Sequence, residues 1–151
     1  MKFITNSETE TKNKAARFGE KLTELAGEND KAVVVSLEGS LGAGKTTFVK
    51  GLGAFMEVGC EITSPTFVIL KKYECGRPEY DFFYHIDCYR LEDPQELLKL
   101  GAEDILKNKR NLVVIEWGGK VKNTLPERTI TIKFEFKESQ KREISLNLNL
   151  T

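Results

Sequence analysis

The sequence holds no apolar run approaching the roughly 18 residues that a membrane-spanning helix needs. Its amino terminus also lacks the apolar core of a secretory leader. Both absences predict a cytoplasmic protein with no membrane partner. Cysteine is scarce: Cys60, Cys75 and Cys88 are odd in number and follow no metal-ligand spacing. They argue against a disulfide framework and predict buried or idle thiols in a reducing compartment. An excess of charge of either sign is missing too, with 23 basic side chains balancing 23 acidic ones. That balance excludes a protein that grips nucleic acid mainly through global charge. Local basic patches remain at Lys71-Lys72 and from Lys107 to Arg110, where solvated faces are the commoner meaning. No internal repeat, low-complexity tract or second-domain boundary interrupts the 151 residues, so positions 1–151 are read as one domain with a full core.

What the sequence does contain is a phosphate-binding loop. Gly39-Ser40-Leu41-Gly42-Ala43-Gly44-Lys45-Thr46 fits G-x-x-x-x-G-K-[ST]. Glycines let successive backbone N–H groups point inward at phosphate oxygens. Lys45 is placed to reach the β- and γ-phosphates, and the Thr46 hydroxyl to bind Mg²⁺. The context fits as well. Ala32 to Glu38 is a β-branched run expected as a buried strand, and Phe48, Leu52, Phe55 and Met56 follow at helical spacing. A helix starting at the loop adds the positive end of its dipole to the same anion site.

The rest of the chain reads as alternating helices and strands. Lys2 to Ile4 is a short strand, and Ser7-Glu8-Thr9-Glu10 has the form of a capping box. Ala15, Phe18, Leu22 and Leu25 then make a helical stripe ending near Gly27–Asp30. Phe67 to Tyr73 and Tyr80 to Asp87 are expected as a β-hairpin broken at Cys75–Pro78. Asp93-Pro94 opens a helix that Gly101 is expected to break or bend. Leu112 to Glu116 is an apolar strand. Thr129 to Phe136 and Glu143 to Leu150 alternate as a closing antiparallel hairpin. The pattern predicts an α/β fold: a P-loop NTPase-like three-layer sandwich with a mixed, centrally parallel β-sheet.

Hydrolysis needs a held metal and a positioned water besides the loop. Glu116 ends an apolar strand, which puts it at the carboxyl edge where open α/β sheets bind ligands. It is a candidate metal ligand, against a capping or surface acid. Asp87 ends another strand and is a candidate for orienting water or completing the metal shell, against a turn acid or a partner of Arg90. His85 shares a strand face with Asp87 and is expected as a hydrogen-bonded sheet residue. Ser64, Pro65 and Thr66 occupy the place of a GTPase first switch, or a plain turn. Trp117, the one tryptophan, either covers the nucleotide or a partner surface, or packs in the core.

Taken in order, the P-loop, Ser64-Pro65-Thr66-Phe67, the run from His85 to Leu91, Asp93-Pro94-Gln95-Glu96-Leu97 and Ile115-Glu116-Trp117 resemble the bacterial TsaE (YjeE) family over nearly the whole chain. The resemblance implies a Mg²⁺-dependent ATPase, weak without partners. It would bind ATP and ADP through positions 39–47, Thr47 included, and through Trp117. Lys45 and Asp87 would serve catalysis, Thr46 and Glu116 the metal, and Ser64 to Thr66 a switch-like loop. It further implies TsaD and TsaB as partners, tRNA reached through their complex, and a role in threonylcarbamoylation of the adenosine beside the anticodon. Cys88 departs from a common Leu, which predicts a packing change, and Gly118-Gly119-Lys120 stands where a second acid is frequent. Other readings are a small P-loop kinase, for which no Arg-rich lid segment is visible, and a regulatory nucleotide-binding module with negligible turnover alone. A GTPase fits less well, because Asn108-Lys109-Arg110-Asn111 lacks the Asp of N-K-x-D.

Overall fold

The computed structural model describes residues 1–63 and 69–147. Its elements run β1 (Lys2–Thr5), α1 (Glu8–Leu25), β2 (Val33–Glu38), α2 (Lys45–Phe55), β3 (Leu70–Glu74), β4 (Phe82–Asp87), α3 (Gln95–Lys99), α4 (Ala102–Lys107), β5 (Asn111–Glu116), a 3₁₀ segment (Gly118–Thr124), β6 (Ile130–Glu138) and β7 (Lys141–Asn147). The seven strands form one sheet in the order β1-β7-β6-β2-β5-β4-β3. The inner strands β6, β2, β5 and β4 pair in parallel, and the outer pairs are antiparallel. The sheet is therefore mixed and centrally parallel, as the sequence pattern predicts. Among the described residues no helix is long and apolar enough to cross a membrane.

The apolar runs of β2 and β5 reflect burial on both faces. Val35, Leu37, Leu112 and Val114 point to one face, where Ala15, Phe18 and Leu22 of α1 and Phe48 and Leu52 of α2 cover them. Val34, Val113 and Ile115 point to the other, against Leu97, Ala102 and Leu106 of α3 and α4 and Val121 of the 3₁₀ segment. Helices on both faces of one sheet give three layers. Cys88 is fully buried in the second cluster, and burial pushes its thiol up to about 12. All three cysteines are free thiols.

Local chemistry explains the helix ends. Ser7 Oγ accepts the Glu10 N–H at 3.1 Å. Glu10 Oε2 reaches back one residue beyond the cap and accepts the Asn6 N–H at 2.7 Å. Gly101 separates α3 from α4, so the sequence signal for a break is realised. The β3–β4 hairpin forms; Phe67 and Val68 of the expected strand lie outside the described residues, as do Ser64, Pro65 and Thr66.

Helix α2 carries Gly51 and Gly53, each costing about 1 kcal/mol of helix propensity. Full burial of Phe48, Val49 and Leu52 outweighs that, at about 1.5–3 kcal/mol per large side chain. Gly51 is where α1 crosses closely: a Cβ there would lie 2.6 Å from Lys12 Cα and 2.7 Å from its carbonyl oxygen. This contact seats α1 so that its first turn reaches the cleft described below. Gly51→Ala is expected to lower stability by about 1–2 kcal/mol, because backbone overpacking exceeds the propensity gain. Urea unfolding checks this; a stabilised variant would show that α1 yields freely.

Candidate functional site

The parallel register brings three acidic strand ends to one edge. Asp87 pairs with Glu116 across β4 and β5, and Glu116 pairs with Leu37, next to Glu38, across β5 and β2. The P-loop leaves β2 at this same edge. Its glycines hold the conformation that the motif requires: φ is +148° at Gly39, +78° at Gly42 and +99° at Gly44. A Cβ at Gly39 would meet the Phe134 carbonyl oxygen at 2.4 Å, so both space and torsion demand glycine there. Gly44 caps α2, whose first residue is Lys45.

Lys45 is buried, and its ammonium donates to the Gly39 carbonyl at 2.5 Å and the Ser40 carbonyl at 3.0 Å. It lies 4.3 Å from the centre of the Trp117 ring. Desolvation pulls its pKa below the ordinary lysine value, while Glu116, Asp87 and Glu38 pull the other way. Thr46 Oγ1 donates to Glu116 at 3.1 Å from Oε1 and 3.3 Å from Oε2. Glu116 is only 3% exposed, which removes the surface-acid reading. Its Oε2 is also 2.6 Å from Nε2 of the fully buried His85. His85 is thus the hydrogen-bonded sheet residue expected, and its partner is the site carboxylate. Its buried Nδ1 has no partner among the described residues, so the tautomer with the proton on Nε2 serves Glu116.

Asp87 is half-buried, and its Oδ1 accepts the Tyr89 N–H at 2.9 Å, the geometry of a turn acid. Burial raises its pKa above the usual aspartate value; the Tyr89 hydrogen bond offsets this in part. Trp117 lies at the cleft rather than deep in the core. It adopts a left-handed backbone (φ +61°), donates its N–H to the Leu37 carbonyl at 3.0 Å, and stacks obliquely on Tyr89 at 5.2 Å. Around these groups opens a cleft of about 970 Å³ that includes Gly42, Gly44, Lys45, Thr46, Thr47, Asp87, Glu116 and Trp117. Leu41 is an exposed tip of the loop beside it, and Ala43 is buried beneath.

The Thr46 hydroxyl and the Glu116 carboxylate are hard oxygen donors side by side, the donor type that Mg²⁺ takes. Among the described residues no group of three or more His, Cys, Asp or Glu side chains is arranged to hold a metal alone. Mg²⁺ generally binds through one or two protein ligands plus substrate phosphates and water, and Thr46 and Glu116 are two oxygen donors of that kind.

Three features escape sequence reading. Glu38 Oε1 accepts both the Ser36 hydroxyl at 2.8 Å and the Gly119 N–H at 2.6 Å, so it ties the segment after Trp117 to β2. A strand ending in an acid directly before the P-loop was the available signal. The first turn of α1 (Ser7, Glu8, Thr9) and the β6–β7 hairpin (Gln140, Arg142) also line the cleft, from opposite ends of the chain. The capping box at Ser7 marks a helix start, and no local motif marks either segment as part of a cleft.

Comparison with known proteins agrees with this geometry. The family model described as "Threonylcarbamoyl adenosine biosynthesis protein TsaE" matches residues 5–144. The tRNA threonylcarbamoyladenosine biosynthesis protein TsaE of Treponema pallidum is 38% identical over 146 residues, covering 97% of this chain and 99% of that protein. The TsaE protein of Bacillus subtilis is 37% identical over 112 residues, covering 74% and 67%. Among solved structures, that of Bacillus subtilis YdiB superposes with a TM-score of 0.68 at 30% identity, covering 97% of this chain and 83% of that one. The chain therefore belongs to the TsaE family of tRNA threonylcarbamoyladenosine biosynthesis.

Proposed function

We propose that this protein is a Mg²⁺-dependent ATPase, a single domain over positions 1–151 acting in the cytoplasm, whose turnover supports a TsaB–TsaD complex as it threonylcarbamoylates the adenosine beside the anticodon of tRNA. The observation that carries this reading is the Thr46–Glu116 hydrogen bond at the lip of the P-loop. It joins the loop's metal-binding hydroxyl to a buried carboxylate from a different strand. A phosphate-binding loop serving binding alone has no need of that second group.

In this reading the backbone N–H groups of positions 39–47 and the α2 amino terminus receive the phosphates. Lys45 exchanges the Gly39 and Ser40 carbonyls for β- and γ-phosphate oxygens. Thr46 and Glu116 would hold the metal, which would supply charge neutralisation to the phosphate chain. His85 keeps the Glu116 carboxylate turned toward Thr46. Asp87, a better base than an exposed aspartate because burial raises its pKa, orients the water that attacks the γ-phosphorus. Water adds to phosphorus, the bond to the β–γ bridging oxygen breaks, and ADP and phosphate leave. Trp117 lies against Lys45 and shields it from bulk solvent. Ser64 to Thr66 act as the nucleotide-sensing segment by resemblance. Turnover is slow until TsaB and TsaD complete the site, and tRNA is met through them.

The deciding experiment measures ATP hydrolysis with GTP as competitor, with and without TsaB–TsaD. ATP turnover that GTP barely inhibits and the partners raise is expected, and Lys45→Ala is expected to abolish it. Unchanged hydrolysis by that variant would remove the P-loop from the mechanism. Glu116→Gln keeps the shape but loses the charge, and should cut turnover by about 10²-fold or more while raising the Mg²⁺ required. A normal Mg²⁺ titration in that variant would place the metal elsewhere. Emission from Trp117, the sole tryptophan, should change on adding ADP or ATP. A flat titration would detach the ring from the nucleotide.

A further inference from the structure

Arg142 belongs to none of the motifs that mark this chain, yet it reaches the P-loop. A Cβ placed on Gly44 would lie 3.8 Å from Arg142 Cγ and Nε and 3.9 Å from its Cδ. The guanidinium carbon is 4.7 Å from the centre of the Phe136 ring, which faces it across the β6–β7 ladder. Among the described residues no carboxylate pairs with it. The adjacent Glu143 is committed to Lys2 at 3.6 Å and Lys137 at 3.6 Å. Its own hydrogen bonds go to the Ser139 and Lys141 carbonyls, both at 3.4 Å, the weak end of the range. A half-buried fork of donors with no anion partner therefore borders a loop built for phosphate.

The sheet order says which end of the phosphate chain it meets. The P-loop leaves β2. On one side of β2 lie β5 and β4, carrying Glu116 and Asp87. On the other side lie β6 and β7, carrying Arg142. The metal and water groups occupy the first side, so the γ-phosphate points there and the nucleoside end points toward β7. Planar guanidinium matches a phosphate with two parallel N–H bonds.

We propose that Arg142 grips the nucleoside-proximal α-phosphate of the bound nucleotide, setting affinity for the nucleotide without taking part in hydrolysis. This rests on the nucleotide-site reading above. Its test titrates the full chain with ADP, ATP and pyrophosphate by calorimetry and measures steady-state ATP turnover with TsaB–TsaD, for the wild type, Arg142→Ala and Arg142→Lys. Arg142→Ala should weaken ADP and ATP by about tenfold or more. Pyrophosphate, which fills the β and γ positions, should change by less than about twofold, and KM for ATP should rise while kcat stays within about twofold. Arg142→Lys should recover part of the loss. Where Arg142→Ala melts before the assay temperature, Arg142→Gln carries the same comparison.

Unchanged ADP affinity would overturn the proposal and leave Arg142 as packing for Phe136 and Gly44. An equal loss for pyrophosphate would move it to the β,γ end. A fall in kcat at constant KM would make it a catalytic residue. Each of these leaves the parent reading standing. A wild-type chain that binds neither ADP nor ATP overturns that reading, and this one with it.

Discussion

Glu116 is a carboxylate in a place where burying an unpaired one costs several kcal/mol. It is tolerated because two donors meet it, the Thr46 hydroxyl and His85 Nε2. These come from α2, which packs over the sheet, and from β4, which pairs beside the strand that carries it. The rest of the site hangs on that convergence. Moving β4 by one residue would turn His85 to the opposite sheet face and leave Glu116 half satisfied. Moving α2 would withdraw Thr46, and with it the loop that Lys45 anchors. The hydrogen-bonded carboxylate is therefore a register lock for the parallel sheet as well as a chemical group. In the reading proposed above both demands favour the same geometry, so the fold would not trade stability against function at this residue.

Parallel pairing explains why the other charges gather nearby. Strands β2, β5 and β4 run in one direction, so residues that end them share one edge, whatever their separation in sequence. Glu38, Glu116 and Asp87 all sit there, facing the buried Lys45. Lys45 is not the only cation there: Arg90 and Arg142 line the same cleft, so the acids at this edge face basic groups brought from three separate segments.

Much of this was legible in the sequence because the relevant signals are local. The glycine loop, the apolar run before it and the stripe after it each depend on neighbours within a few residues. Glu116 was legible for the same reason: an apolar run ending in an acid needs only strand geometry to place it. The link between His85 and Glu116 was not, since it depends on β4 lying beside β5 in a particular register. Nothing within either segment encodes that pairing. Arg142 was further from reach. It sits on an alternating strand where a charged residue reads as solvated, and only the return of β7 toward the P-loop strand gives it a target. Glu38 lay in plain view at the end of its strand. Its use, holding Gly119 and so the turn that carries Trp117, needed the 3₁₀ segment to be seen.

Lys45 shows how the chain holds its own loop. Its buried ammonium donates to the carbonyls of Gly39 and Ser40. These contacts tie the loop to the first residue of α2, and they offset part of the desolvation penalty of the buried charge. In the reading proposed above, a nucleotide would replace those main-chain acceptors with stronger, anionic ones and would not have to order the loop. The entropy of closing the loop is settled during folding, and the exchange costs only the difference between two sets of hydrogen bonds. In the ATPase cycle proposed above, the same carbonyls would take the lysine back when the γ-phosphate departs. Such a cycle would gain from keeping the loaded and free states close in energy, and the lysine's two sets of acceptors would supply that within one side chain's reach.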